Sequence, residues 1–336
     1  DVALSKAGIG MYASRYNILD NFNFDPPESE EVYSGIEEVV LAEDAWEKPD
    51  DYWQTNRIES LTEKQKNLYH MIDTLRTVPA YKRLVYATKV ITTGYFPAGP
   101  IDIGKISSMY TFNQTEGTRF RLGVETSHSL TQKWQIRTYG AYGLKDKKFK
   151  YNGSVLYSFT DDYRKNPKHY IRGAYQHDAI FPGLKLEFIE EANLLTSFRR
   201  GDANQMLFVD SWNFDYFTEG SAGFMKFGFE NRKRQPYGTL EFYAFDNMDV
   251  ADTTFISDIT TTELSFAAEY SPNTSFIQGR EIRTPIKSEH PRFQLSYRTG
   301  LKALGGNHNY HNISLQIKKR IPMSIVGRSD VQFEVG

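Results

Sequence analysis

The chain has 336 residues, 40% hydrophobic and 24% charged, a balance that excludes a disordered tail or a collagen-like repeat. It has no cysteine, so disulfides, thiol nucleophiles and cysteine metal sites are excluded together, while 22 Tyr and 23 Phe help to raise aromatic content to 15%. Mean hydropathy is -0.55 and no apolar run approaches the ~20 residues of a spanning helix, which excludes a helical membrane protein. It leaves open a β-barrel, whose strands need only about 10 residues with alternate positions polar.

The formal net charge of -2 conceals an asymmetry: residues 1–60 hold 14 acidic and 4 basic side chains, residues 61–336 hold 28 acidic and 36 basic. An acidic linker ahead of a mildly basic domain fits this split, and so does a functional pairing of the two. The chain starts at Asp1 with no basic-then-apolar leader, which reads as a processed chain or an internal fragment and leaves the compartment open.

Residues 1–60 read as an acidic extended segment, periplasmic or plugging, that needs a partner surface to order; Asn21 to Pro27 and Glu28 to Glu38 sustain no period of 3.6 or 2. Residues 61–99 read as a short amphipathic helix and a lead-in. The helix is predicted at 61–77, where Ser60 and Glu63 have capping-box spacing and Leu61, Leu68, Met71, Ile72 and Leu75 share a face.

From about residue 100 the period changes to 2. Phe120, Leu122 and Val124 alternate with Arg119, Arg121 and Glu125; Trp134, Ile136 and Tyr142 with Gln135, Arg137 and Ala141. The rhythm continues at 149–159, 169–178, 222–231, 240–243, 262–270, 292–298, 313–318 and 330–335, with a weaker strand at 103–112 and an aromatic one at 206–217. That is about a dozen strands, an all-β antiparallel fold over 100–336.

Alternation by itself fits a soluble sandwich as well as a barrel. Charge density on the polar parity favours a transmembrane outer-membrane β-barrel: Arg119, Arg121, Glu125, Arg137, Lys150, Arg172, Lys226, Glu230, Glu263, Glu269 and Lys318 would line a wet lumen. Tyr110, Trp134, Tyr142, Tyr151, Phe159, Tyr216, Tyr237, Tyr270 and Tyr297 lie near segment ends, where aromatic girdles meet headgroups. Short turns at 130–133, 146–148 and 219–222 and longer connections at 160–168, 180–205, 246–260 and 271–291 suggest short loops on one side and long ones on the other. The last segment keeps its alternation to the end of the chain, which reads as a barrel incomplete at the C-terminus.

Several stretches together resemble a known family. They are Tyr52-Trp53 through Arg57, Ser60-Leu61-Thr62-Glu63, Ile101-Asp102-Ile103-Gly104, Phe112-Asn113-Gln114-Thr115-Glu116-Gly117-Thr118-Arg119-Phe120-Arg121-Leu122-Gly123 and the Tyr139 to Tyr151 block with Leu144-Lys145-Asp146-Lys147-Lys148. The resemblance is to a Bacteroidota family of large outer-membrane proteins in which a carboxypeptidase-regulatory-like domain precedes a barrel domain of unknown function. It implies location and architecture and transfers no catalytic residue. That regulatory-like domain also occurs on nutrient importers, which implies transport or membership of an outer-membrane assembly.

No nucleophile elbow, Walker loop, dinucleotide fingerprint or His-Glu-x-x-His helix occurs, so no catalytic, cofactor or metal residue is predicted. His308 and His311 have the nearest approach to metal spacing, in a stretch that reads as a polar hairpin loop. Asp210 and Asp215, and likewise His177 and Asp178, are expected on opposite faces of their strands. Glu116, Arg119, Arg121, Glu125 and Arg137 are predicted to form a charge network in the lumen that stiffens the barrel. The Arg199-Arg200 and Arg232-Lys233-Arg234 clusters lack interleaved stacking aromatics, so they are expected to meet lipopolysaccharide or water and not nucleic acid. The expected function is non-enzymatic: a subunit of an outer-membrane complex with other outer-membrane proteins and lipoproteins, in assembly or export. The alternatives are a solute channel or importer and, more weakly, an outer-membrane hydrolase.

Overall fold

The computed structural model describes residues 24–25, 37–40, 48–182, 205–245, 253–272, 274, 276–278, 283–285, 290–323 and 327–336. The chain divides into two compact units, one of residues 1–35 and 42–78, the other of 36–41 and 79–336. Residues 183–204, including Arg199-Arg200, and most of the acidic segment lie outside the described residues.

In the first unit, α1 (Asp50–Asn56) and α2 (Glu63–Thr77) are the described elements. The capping box is formed by Thr62 and Gln65, not by Ser60 and Glu63: the Thr62 hydroxyl accepts from the Gln65 N–H and the Gln65 side chain accepts from the Thr62 N–H. Two hydroxyl residues stood within two positions of each other, and Thr62 takes the cap because Gln65 completes the reciprocal bond. The segment expected to be extended to residue 60 is helical over Asp50–Asn56.

The second unit begins with β1 (Glu37–Val40), a strand inside the segment expected to be extended and to order against a partner surface. The lead-in at 79–93 is a second helix, α3 (Pro79–Thr93). At the first helical position the missing N–H of Pro79 costs nothing and its fixed φ starts a new helix. Then come β2 (Tyr95–Ala98), β3 (Ile101–Gly104), β4 (Tyr110–Asn113), β5 (Gly117–Thr126), β6 (Trp134–Gly143), β7 (Phe149–Ser158) and β8 (His169–Ile180). They are followed by β9 (Gln205–Glu219), β10 (Gly223–Gly238), β11 (Phe242–Phe245), β12 (Thr253–Ile256), β13 (Ile259–Tyr270), β14 (Phe276–Gln278), β15 (Arg283–Pro285), β16 (Arg292–Gly300), β17 (Tyr310–Pro322) and β18 (Arg328–Val335). The weak strand expected at 103–112 is two strands with a 3-10 turn at Ile106–Ser108 between them, so the parity count slips there.

Thirteen strands form one antiparallel sheet in the order β18-β17-β16-β13-β10-β9-β8-β7-β6-β5-β3-β2, with β4 also on β5. Sequence neighbours are space neighbours almost throughout, as short connections require. Among the described residues β2 and β18 do not pair with each other, so no closed cylinder forms. The expected segregation of loop lengths is absent. The short 144–148 turn leaves the sheet at the same end as the 181–204 and 239–258 connections, and the three-residue 220–222 turn shares its end with 271–291.

Register sorts the side chains into two faces. Arg121, Ala141 and Lys150 stand in one row, and Glu125, Arg137 and Ser154 in another. Across β8 to β13 the same face carries Arg172, Asp215, Lys226, Glu230, Glu263 and Glu269. The opposite face holds two adjacent aromatic-rich rows. One runs through Val155, Gly173, Phe214, Phe229, Leu264 and Thr299; the other through Trp134, Tyr157, Ile171, Tyr216, Phe227, Phe266 and Tyr297. A nearly all-apolar crevice of about 910 Å³ runs between these rows.

Burial is inverted relative to a water-soluble fold. Leu122 is 63% and Phe149 60% exposed, while Lys150 is 0% and Glu116 1% exposed. Among the described residues, buried polar and charged side chains outnumber buried apolar ones. The small apolar cluster of Ala179, Met206 and Phe208, flanked by Phe181 and Tyr237, sits where β8, β9 and β10 meet at one end of the sheet.

Close backbone contact fixes the start of the sheet. A Cβ on Gly123 would lie 2.1 Å from the Gly104 carbonyl oxygen, so β5 approaches β3 only because residue 123 has no side chain. Gly123→Ala is expected to cost about 1–3 kcal/mol, the overpacking penalty, read as a lowered thermal unfolding midpoint; an unchanged midpoint would contradict this contact.

Candidate functional site

The charged face concentrates its ion pairs at the end of the sheet that carries the 144–148 turn. Lys150 Nζ lies 2.5 Å from Glu116 Oε1 and pairs also with Asp146. Arg119 bridges Asp178 at 2.8 Å and Glu116 at 3.5 Å, reaching from β5 to β8. The Tyr139 hydroxyl donates to Asp178 at 2.6 Å, Arg121 stacks its guanidinium 3.5 Å from the Tyr139 ring centre, and the Tyr237 hydroxyl donates to Asp146 at 2.5 Å. Asn113 anchors the loop: its amide donates to Glu116 Oε2 and its carbonyl oxygen accepts the N–H groups of Thr115 and Glu116.

Three carboxylates therefore meet two cations, Lys150 and Arg119, with tyrosine hydroxyls filling remaining positions, as buried charge requires. Glu116 Oε1 takes no well-angled hydrogen bond, yet its contact with the Lys150 ammonium compensates its charge. Arg121 Nε has no hydrogen-bond acceptor and relies on the Tyr139 π face. At Asp146, burial raises the carboxyl pKa, but hydrogen bonds from Lys150, Tyr237 and the Lys148 N–H more than offset it and hold the group below the usual carboxylate range.

Of the five residues predicted from sequence, Glu116, Arg119 and Arg121 come together here. Glu125 and Arg137 form a separate pair at 2.8 Å toward the other end of the same face. Asp146, Asp178, Lys150, Tyr139 and Tyr237 complete the cluster and were not in the predicted network. Asp178 and Lys150 carry the polar parity of their strands, a visible signal; Asp146 lies in a turn, where parity says nothing. Further along the face Asp215 holds both Arg172 and Lys226, and Arg232, expected at the surface, is buried against Glu230.

A second set of contacts ties loops at the opposite end. His128 Nε2 lies 2.9 Å from both oxygens of Asp162, Lys133 reaches Asp161, and the Tyr163 N–H donates to the Gln132 carbonyl. Burial pushes the Asp162 carboxyl up, but the Arg164 N–H and His128 outweigh it and leave it below the ordinary range. A depressed folded pKa adds stability above the unfolded value of about 3.9 that is lost as pH falls through the folded value. The clip is thus expected to persist at neutral pH and open under strong acid, giving faster hydrogen exchange in 127–133 and 159–168. Asp162→Asn should show that faster exchange already at pH 7, and equal exchange in the two proteins would exclude the role.

Among the described residues no group of His, Asp and Glu could hold a metal ion. His177 pairs with Asp210 on the apolar face while Asp178 and Asp215 point to the charged one, the opposition expected from strand parity. His311 is a β17 residue, not part of a loop, and its ring stacks on Tyr297, with the Tyr297 hydroxyl 2.8 Å from its Nδ1, away from any paired role with His308.

Residues 98–336 match the C-terminal domain of the family of unknown function DUF5686. The chain belongs to that family. The DUF5686 C-terminal domain starts at the last residue of β2 and covers every later strand, so the two-faced sheet and its charge cluster are that domain's fold. The family assigns no activity and thus no residue role. No curated protein matches the chain.

Proposed function

We propose that the DUF5686 sheet is the wall of a transmembrane β-barrel in the outer membrane of a Bacteroidota cell, acting without catalysis as a subunit of a multiprotein complex for outer-membrane protein assembly or export. The inversion of the two faces carries this reading. A sheet in water hides its apolar face; here Phe, Leu, Ile and Trp are the exposed side chains and Lys150 and Glu116 the buried ones. Aromatic pairs lie toward both strand ends, Trp134 with Tyr157 at 4.7 Å and Tyr151 with Tyr175 at 5.8 Å, as interfacial girdles would. A closed wall requires strands to cover the β2 and β18 edges, which do not pair with each other among the described residues, because lipid tolerates no unpaired strand edge.

The subunit role is supported by the acidic 1–60 segment and by a charged face whose cations and carboxylates satisfy each other. Mild detergent extraction followed by affinity purification is expected to recover stoichiometric protein partners. A barrel that comes away alone under several detergents would refute the subunit role.

A solute channel is the second reading. Arg172 and Lys226 share the single carboxylate Asp215 and remain about half exposed, leaving a net positive site on the charged face. Planar bilayers should then show conductance selective for anions, and a sealed bilayer removes this alternative.

A further inference from the structure

Helix α3 has the sequence Pro79-Ala80-Tyr81-Lys82-Arg83-Leu84-Val85-Tyr86-Ala87-Thr88-Lys89-Val90-Ile91-Thr92-Thr93. Ala80, Leu84, Ala87 and Ile91 follow the spacing that aligns side chains along one stripe. Leu84 is 63% and Ile91 80% exposed; Val90 alone in the helix is buried. A 15-residue helix is marginal in water by itself, so an uncovered stripe of this kind calls for a surface to lie on.

Charge identifies that surface. Lys82, Arg83 and Lys89 are the ionisable groups of α3 besides its tyrosines, and it holds no acidic residue. The three cations project from the flank and back of the apolar stripe, and none of them takes an ion pair among the described residues. Apolar side chains on one face with lysine and arginine around them match the boundary between acyl chains and phosphate headgroups. Attachment points the same way: the Gly94 N–H closes the helix on the Val90 carbonyl and Tyr95 opens β2, so α3 is tethered one residue from the sheet.

We propose that α3 is an interfacial helix that binds an anionic lipid surface, Leu84 and Ile91 entering the acyl boundary and Lys82, Arg83 and Lys89 meeting lipid phosphates. This rests on the membrane placement of the sheet and adds a headgroup preference to it.

The chain has no cysteine, so one introduced thiol is a unique label. Full-length Ile91→Cys, carrying an environment-sensitive fluorophore, is reconstituted into vesicles of phosphatidylcholine with or without phosphatidylglycerol, each with and without brominated acyl chains. Phosphatidylglycerol at low salt is expected to shift the emission to the blue and to raise quenching by brominated chains several-fold. High salt, or Lys82→Glu with Arg83→Glu and Lys89→Glu, should reverse both changes. A label equally wet in both lipids overturns the proposal. A label equally shielded in both, and indifferent to charge reversal, overturns it as well and points to a protein surface over the helix. Leu122→Cys on the exposed sheet face is the companion: quenching there without quenching at residue 91 sinks the α3 proposal alone, and quenching at neither site sinks the membrane placement too.

Discussion

Lys150→Met is expected to destabilise the folded sheet by about 3–5 kcal/mol, the cost of leaving buried charge without its partner. The ammonium is wholly buried and neutralises Glu116 and Asp146 together, so its removal leaves two carboxylates at one end of the charged face with only Arg119 and tyrosine to share. The cost arises from the abandoned charges and not from lost packing, since methionine nearly fills the same volume. Combining Lys150→Met with Glu116→Gln and Asp146→Asn should therefore recover most of the loss. Unfolding in denaturant measures both, and a single variant within 1 kcal/mol of the parent would show that the cluster is screened by water.

Phe214→Arg is expected to cost about 2–4 kcal/mol for folding into lipid vesicles, the penalty for a cation at mid-bilayer depth on a barrel's lipid face. Phe214 is 52% exposed and lies in the row between the two aromatic belts, so water would accept an arginine there at little cost. Environment thus decides the sign and size of the effect. Ser314→Arg, on the charged face opposite Ser296, should cost far less. Urea titrations in phosphatidylcholine vesicles compare the three proteins, and equal midpoints would remove the exposed face from lipid.

Much of the fold was legible because strand periodicity is a local property. The direction of successive side chains alternates whatever the strand's neighbours are, so Phe120, Leu122 and Val124 could be separated from Arg119, Arg121 and Glu125 before any pairing was known. The misreadings fall where a local signal competes with a nearby equivalent. Thr62 displaced Ser60 as a cap because Gln65 closed the reciprocal bond. Loop lengths misled about the two ends of the sheet, since only register tells which connections leave together.

The charge cluster was only partly legible. Glu116, Arg119 and Arg121 stand close in sequence and could be grouped, but Arg119 meets Asp178 across 59 positions of chain and Asp146 meets Tyr237 across 91. Sequence alone determined that this chain makes strands with one charged and one aromatic face, because both properties are fixed within a few residues. The tertiary structure decided which carboxylate neutralises which cation, that the charged face is the buried one, and that the sheet's ends stay apart among the described residues. Those outcomes depend on register summed over many strands, and no local pattern encodes that sum.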